Sequence, residues 1–126
     1  IITYFDSAIV LNQPSMEKFE TQVKPGGLLI YESTNIVKPS TRTDIEIIGI
    51  PAATEAVNMK NSKILNMIML GAYLERRPVV KMDSVIEALK KVLPERYHNL
   101  LPLNKQAMER GAELVEKEMI NLGEAF

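Results

Sequence analysis

Two pairs of polar residues follow predicted strands, at the positions where an α/β protein places the groups that bind ligands. Asn12 and Gln13 come at the end of the first predicted strand, and Thr54 and Glu55 come after the third. Ligands of open α/β sheets collect at the carboxyl ends of strands, so these amide, hydroxyl and carboxylate groups could face one polar ligand. A local role is the alternative. The amides would then cap the next helix, and Glu55 would complement a helix dipole from the first turn.

Residues 61–74 are a further informative stretch, because their apolar side chains predict a helix that is covered on several sides. Asn66 and Gly71 interrupt this apolar stretch. A buried asparagine needs hydrogen-bond partners, and a glycine inside a helix is tolerated where another element packs closely. We therefore expect the helix to contact the sheet and Asn66 to hydrogen-bond to the backbone of a strand end or loop. On these grounds the candidate ligand-binding residues are Asn12, Gln13, Thr54 and Glu55.

The other residue types give no sign of an independent catalyst. The chain has no cysteine, and its one histidine, His98, has no serine or carboxylate partner at a recognised spacing. Gly26 and Gly27 precede a predicted strand instead of opening a helix, so they do not form a phosphate-binding loop. We predict neither a catalytic residue nor a metal ligand in this chain.

The composition is that of one ordinary globular domain. The 126 residues are 46% hydrophobic and 25% charged, with a formal net charge of -1. This charge argues against a nucleic-acid partner, because binding to phosphates requires an excess of basic residues. Charged residues interrupt every apolar run before it reaches the ~20 residues of a membrane span. We expect a single α/β domain over residues 1–126, located in the cytoplasm.

The candidate residues depend on a predicted sheet of parallel strands. Residues 7–12 and 28–31 are short apolar runs, typical of strands buried on both faces. A helix beginning at Pro14 and a Pro-Gly-Gly turn at residues 24–27 separate them. This order predicts parallel pairing through a right-handed crossover. Residues 44–50 predict a third strand, so the fold class is α/β, a mostly parallel sheet with flanking helices.

Helices account for most of the remaining chain. A short helix is predicted after Pro51, and the apolar helix with Asn66 follows it. Asp83 is the predicted N-cap of an amphipathic helix that ends at Pro94. Asn104 is the predicted N-cap of the last helix, whose inward side chains are Ala107, Met108, Leu114, Val115 and Leu122.

Several segments, taken in order, resemble one known family. They are residues 11–19 (LNQPSMEKF), 23–31 (VKPGGLLIY), 48–52 (IGIPA) and 66–73 (NMIMLGAY). Along essentially its whole length the chain is similar to the gamma subunit of 2-oxoacid:ferredoxin oxidoreductases, the family of the pyruvate and 2-oxoglutarate enzymes. Within that family it looks nearest to the 2-oxoglutarate type.

The resemblance implies an accessory, non-catalytic subunit with the fold of the gamma subunit (domain III). Such an enzyme decarboxylates a 2-oxoacid with thiamine diphosphate, passes electrons through iron–sulfur clusters to ferredoxin, and transfers the acyl group to coenzyme A. The resemblance also implies that this chain alone binds none of these cofactors, and that its partners are alpha, beta and delta-type subunits. Asn12, Gln13 and Asn66 match family motifs, so the resemblance implies that they lie near the site and adds Asn66 to the candidate ligand-binding residues.

One feature of the family is absent from this sequence. The family's gamma subunits begin with a G-x-G-G-Q-G turn and an E-x-R-G-G segment, and neither motif occurs here. We therefore expect the chain to be the C-terminal portion of the gamma-subunit domain, N-terminally incomplete. Two further hypotheses are a stand-alone nucleotide- or small-molecule-binding α/β module and a structural domain that forms a homodimer.

Overall fold

The computed structural model describes residues 3–124 of the chain, which form three strands and five α-helices. The strands are β1 (Phe5–Val10), β2 (Val23–Glu32) and β3 (Glu46–Ile50). The α-helices are α1 (Gln13–Phe19), α2 (Ala52–Asn58), α3 (Leu65–Arg76), α4 (Met82–Val92) and α5 (Leu101–Glu124). Short 3-10 segments cover Glu20–Gln22, Ser62–Ile64 and Glu95–Leu100. Among the described residues, no helix is long and apolar enough to cross a membrane.

The sheet has the order β1-β2-β3, and both strand pairs are parallel. Ile9 lies opposite Ile30, and Ile30 lies opposite Ile48. Helix α1 connects β1 to β2, as the strand–helix–strand pattern predicts. The predicted α/β class, with a parallel sheet and flanking helices, is therefore confirmed.

The turn predicted at residues 24–27 is wrong, because these residues lie inside β2. Phe5 pairs with Val23 whereas Ser7 pairs with Leu28, so two steps along β1 match five along β2. Gly26 adopts φ +82° in this bulge and donates its N–H to the carbonyl oxygen of Asp44 at 2.7 Å. Gly26 of the Pro-Gly-Gly sequence does adopt the left-handed backbone conformation, but it forms a bulge within β2 and the chain does not reverse direction there.

The two faces of the sheet carry two separate hydrophobic clusters, because neighbouring residues of a strand point to opposite faces. Leu28 and Ile30 face helices α2, α3 and α5, together with Ile48 and Ile50 of β3. Leu29 faces the other way and packs with side chains from β1, α1 and the loop after β2, namely Val10, Met16, Val23 and Ile36. Strand β2 is thus buried on both faces, as its continuous apolar run predicts. The same prediction for residues 7–12 is wrong: β1 lies at the edge of the sheet, Val10 is its one buried residue, and Ile9 is 39% exposed.

Helix α3 packs against β2 and more extensively against α5. A β-carbon added to Gly71 would overlap the backbone of Met108, and one added to Gly111 would overlap the carbonyl oxygen of Ile68. The expected close approach at Gly71 is confirmed, and its partner is α5. The expected hydrogen bond of Asn66 is wrong: its side chain is exposed and has no hydrogen-bond partner among the described residues. The reason is geometric, since Asn66 lies roughly opposite Ile68 around the helix, on the side that neither the sheet nor α5 covers.

Both predicted helix caps are also wrong. Lys81 occupies the N-cap of α4, so Asp83 lies within the first turn. Asn104 lies inside α5, because the 3-10 segment Glu95–Leu100 continues directly into that helix at Leu101. Of the side chains predicted to face inward from α5, Leu122 is exposed and the other four are buried.

Candidate functional site

The three strands end at one edge of the sheet, which we call the carboxyl edge. It consists of the residues that follow β1 (11–13), β2 (33–35) and β3 (51–54). All strands run in the same direction, so these loops are neighbours in space. Three of the five candidate residues, Asn12, Gln13 and Thr54, lie in this edge.

Glu32, the last residue of β2, organises the carboxyl edge. Its side chain is fully buried. Oε1 accepts hydrogen bonds from the backbone N–H groups of Thr34 and Ala53, both at 3.0 Å, and Oε2 accepts one from Asn35 at 2.9 Å. Burial raises the pKa of Glu32, but the bonds from Ala53, Thr34 and Asn35 outweigh it, so the pKa lies below its usual value. The carboxylate therefore ties the loop after β2 to the start of α2.

Sequence reasoning missed Glu32. The available signal was its position as a single acidic residue closing the apolar run of β2, where an unpaired charge would be costly. Its partners are backbone groups, one of them 21 residues away at Ala53. Every residue except proline has a backbone N–H, so the sequence does not show which of these donors Glu32 binds, and its role is visible only in the structure.

Asn12 and Gln13 have the local role that the sequence left open. Asn12 is the N-cap of α1, and its Oδ1 accepts a hydrogen bond from the N–H of Ser15 at 2.9 Å. Gln13 holds the loop after β2 through two hydrogen bonds with the backbone of Lys38. Its Nε2 donates to the carbonyl oxygen of Lys38 at 2.9 Å, and its Oε1 accepts from the N–H of Lys38 at 3.1 Å. These amides fix the backbone at the carboxyl edge.

Thr54 lies at the carboxyl edge, in the first turn of α2. Its hydroxyl is 3.1 Å from the hydroxyl of Thr34, and both side chains are exposed. The backbone N–H of the next residue toward the strand, Ala53, is held by Glu32. The paired hydroxyls are thus placed by the Glu32 network and remain accessible from solvent.

Glu55 is directed away from the carboxyl edge toward α5. Its Oε1 accepts a hydrogen bond from Nε of Arg110 at 2.7 Å, and Arg110 also donates to Glu113 at 2.7 Å. The hydrogen bonds that Arg110 donates to Glu55 and Glu113 raise the pKa of its guanidinium. Glu55 is therefore part of an ion pair that attaches α2 to α5. The structure brings Thr54, Asn12 and Gln13 to one edge, and it places Glu55 and Asn66 elsewhere.

The groups exposed at the carboxyl edge suit hydrogen bonding rather than bond-breaking chemistry. The exposed polar side chains of the edge include those of Asn12, Thr34, Asn35 and Thr54, and Lys38 is exposed in the adjoining loop that Gln13 holds. The buried carboxylate is already satisfied by backbone donors. Within residues 3–124, no three histidine, cysteine or carboxylate side chains group together to hold a metal ion. The edge can hold a polar ligand in place, but the described residues offer it no acid–base pair.

A second feature is an apolar surface on α4, formed by Val80, Val85, Ala88 and Val92. We call it the α4 surface. Val80, Ser84, Val85 and Ala88 line a groove of about 280 Å³. Val92 is 74% exposed, and α4 has no fully buried residue although it packs on α5. Lys81 and Lys91, in the same stretch of chain, are exposed. Contiguous exposed apolar patches of this kind mark contacts with other proteins.

The sequence matches a known family along most of its length. The sequence model of the family described as pyruvate ferredoxin/flavodoxin oxidoreductase matches residues 1–114. A curated relative, the ketoisovalerate oxidoreductase subunit VorA of Methanothermobacter thermautotrophicus, is 28% identical over 109 residues, which are 86% of this chain and 22% of VorA. The chain thus spans about a fifth of the length of that relative.

Solved structures share the fold. The gamma subunit of the keto/oxoacid ferredoxin oxidoreductase of Geobacter sulfurreducens matches with a TM-score of 0.78 at 23% identity, over 94% of this chain and 66% of that one. The 2-oxoglutarate:ferredoxin oxidoreductase of Magnetococcus marinus matches with a TM-score of 0.79 at 23% identity, over 90% of this chain and 20% of that one. The latter structure contains 2-oxoglutarate, coenzyme A and succinyl-CoA.

Proposed function

Because the chain belongs to the pyruvate ferredoxin/flavodoxin oxidoreductase family, we propose that it serves as the gamma subunit of a 2-oxoacid:ferredoxin oxidoreductase. The observation that carries this proposal is the family match over residues 1–114 of 126. The relatives named above are a ketoisovalerate enzyme and a 2-oxoglutarate enzyme, so the substrate class that we propose is a 2-oxoacid. The resemblance of the sequence to the 2-oxoglutarate type makes 2-oxoglutarate the first substrate to test.

In this proposal the chain is an accessory subunit, and other subunits carry the redox and decarboxylation chemistry. The chain has no cysteine, so it supplies no thiolate ligand to an iron–sulfur cluster. Thiamine diphosphate is held through a divalent cation that needs a set of oxygen ligands. The family resemblance implies that this cation and its ligands lie in other subunits. Alpha, beta and delta-type partners would therefore bind these cofactors, and ferredoxin would receive electrons through them.

The carboxyl edge is the part of this chain that we assign to the coenzyme A side of the assembled enzyme. Coenzyme A supplies the thiol that accepts the acyl group. The hydroxyls of Thr34 and Thr54 and the ammonium of Lys38 can hydrogen-bond an anionic or amide group brought there. Glu32, Asn12 and Gln13 would act as positioning residues, because their hydrogen bonds fix the loops that present those groups.

The α4 surface supports a role in an assembly. Its apolar side chains remain exposed in the chain by itself, and a partner subunit would bury them. The exposed Lys81 and Lys91 beside these residues in the chain favour a partner surface that carries carboxylates around an apolar centre. This arrangement of apolar core and charged rim is usual for protein–protein interfaces.

Co-purification from the source organism tests the proposal. The tagged chain should recover proteins that mass spectrometry identifies as thiamine-dependent and cluster-bearing oxidoreductase subunits. The recovered complex should reduce ferredoxin with coenzyme A and one of 2-oxoglutarate, pyruvate or ketoisovalerate. If the chain purifies alone and binds coenzyme A or adenine nucleotides tightly in calorimetry, it is a stand-alone binding module and the proposal fails.

A further inference from the structure

A second groove lies at the opposite edge of the sheet, where the strands begin. Its volume is about 360 Å³, within the lower range of small-ligand sites. The bulge of β2 at residues 24–27 forms one wall, and Asp6 and Ser7 of β1 lie beside it. Tyr73 and Arg77, at the end of α3, form the other wall. We call this feature the amino-edge groove.

Unlike the other partly buried arginines, Arg77 has no carboxylate partner among residues 3–123. Arg42 is paired with Asp44, Arg76 with Glu46, and Arg110 with Glu55. The only described hydrogen bond of the Arg77 side chain runs from Nη1 to the carbonyl oxygen of Arg76 at 3.2 Å. Glu46 lies close enough to interact with its charge, but both Glu46 oxygens accept bonds from Arg76. The guanidinium of Arg77 thus keeps donors that no described residue uses.

Three more donors line the amino-edge groove. The ammonium of Lys24 is 3.4 Å from Asp6, but that carboxylate is 90% exposed, so the ion pair is weak. The hydroxyls of Ser7 and Tyr73 are half-buried and have no hydrogen-bond partner among the described residues. The groove therefore combines two cations and two hydroxyls with a single carboxylate at its rim.

We infer that the amino-edge groove binds a small oxyanion, a phosphate or a short carboxylate, between Arg77 and Lys24. The planar guanidinium of Arg77 would donate to two oxygens at once, the arrangement in which arginine binds both classes of anion most strongly. The hydroxyl of Tyr73 would donate a further hydrogen bond. This site is separate from the carboxyl edge and goes beyond the function proposed above, because it needs neither the reacting 2-oxoacid nor a partner subunit.

Titration of the full ¹⁵N-labelled chain by NMR tests this inference. The probes are sodium phosphate and sodium succinate, and sodium chloride at the same ionic strength serves as the reference. We expect saturable shifts of the amide signals of Ser7, Gly26, Gly27 and Arg77 with at least one of the two oxyanions and none with chloride. Stronger binding of phosphate would assign the site to phosphate groups, and stronger binding of succinate to carboxylates. Shifts that grow linearly with both probes would overturn the inference.

Three variants locate the anion. Arg77→Gln should weaken binding about tenfold, the usual loss when one charge-assisted contact is removed. Tyr73→Phe removes only the hydroxyl and should weaken binding about threefold. Arg96→Gln is the matched control, because Arg96 is exposed and its described interaction is with the ring of Tyr97. Equal affinities in the wild type, Arg77→Gln and Tyr73→Phe would contradict the assignment.

The experiment distinguishes this site from the proposed function. It uses the chain without oxidoreductase subunits, so loss of anion binding leaves the co-purification result unaffected. Circular dichroism and thermal unfolding of each variant establish that it is folded. If Arg77→Gln does not fold, Lys24→Gln replaces it, because Lys24 is exposed on the opposite wall and its removal should also weaken binding severalfold.

Discussion

Replacement of the buried Glu32 by glutamine tests how the carboxyl edge is built. The amide keeps the size of the side chain, and its oxygen can still accept the bonds from Thr34 and Ala53 that Oε1 accepts now. Its NH₂ group then faces the N–H of Asn35, where Oε2 accepts a bond at 2.9 Å. One hydrogen bond becomes a contact between two donors, and the other two lose their charge assistance. We expect a loss of about 2–3 kcal/mol in the free energy of unfolding at pH 7.

The effect of Glu32→Gln should depend on pH with a definite sign. The pKa of Glu32 is lowered in the folded chain, so its carboxylate stabilises the fold fully above its unfolded pKa of about 4.3. As the pH falls below that value, the unfolded chain takes up the proton first and the stabilisation is lost progressively toward the lower, folded pKa. The difference between wild type and variant should therefore be largest near pH 7 and shrink below about pH 4.

Urea denaturation followed by circular dichroism measures this difference at pH 7 and at pH 3.5. Glu17→Gln is the matched control, because Glu17 is exposed on α1 and takes part in no described ion pair. It should change stability by less than about 0.5 kcal/mol. The reasoning is refuted if Glu32→Gln is as mild as this control at pH 7, or if its effect does not fall with pH.

Three further predictions concern the helices. Gly111→Ala should lower stability by about 2 kcal/mol in urea denaturation, because the new methyl overlaps the backbone of α3 and the gain in helix propensity offsets only part of that strain. Gly123→Ala, in open space near the end of the same helix, should be neutral or slightly stabilising, and equal effects of the two variants would contradict the packing argument. Glu55→Gln should cost about 0.5–1 kcal/mol, since it weakens the part-exposed pair with Arg110, and a loss above 3 kcal/mol would show that the pair is more deeply coupled. Val92→Lys should leave the melting temperature of the isolated chain within about 2 °C of the wild type and abolish co-purification with partner subunits. Val57→Lys, a similarly exposed position on α2, should affect neither. If Val92→Lys still recovers the partners, the α4 surface is not part of the interface.

The strands, their parallel order and the edge that holds Asn12, Gln13 and Thr54 were predictable from the sequence. Apolar runs separated by a helix leave few other arrangements, because parallel strands need a crossover connection. The resemblance to the 2-oxoacid oxidoreductase family was likewise available from the residues and agrees with the family match. Sequence patterns were therefore sufficient to predict the features that depend on residues close together in the chain.

The rest depends on contacts between residues far apart in the chain. The Pro-Gly-Gly sequence fits both a turn and a bulge, and the partner strand β1 together with Asp44 decides between them. Asn66 interrupts an apolar helix, but only the positions of the sheet and α5 determine which side of that helix is covered. The bond of Glu32 to Ala53 and the pair of Glu55 with Arg110 span 21 and 55 residues, and no spacing rule predicts either.

Reconstitution with and without this chain tests its proposed role most directly. Purified partner subunits, thiamine diphosphate, coenzyme A and ferredoxin are mixed with 2-oxoglutarate, and ferredoxin reduction is followed by absorbance. We predict that reduction is lost when the chain is left out and returns when it is added back. A full rate of ferredoxin reduction in its absence would contradict the assignment of this chain as a required subunit.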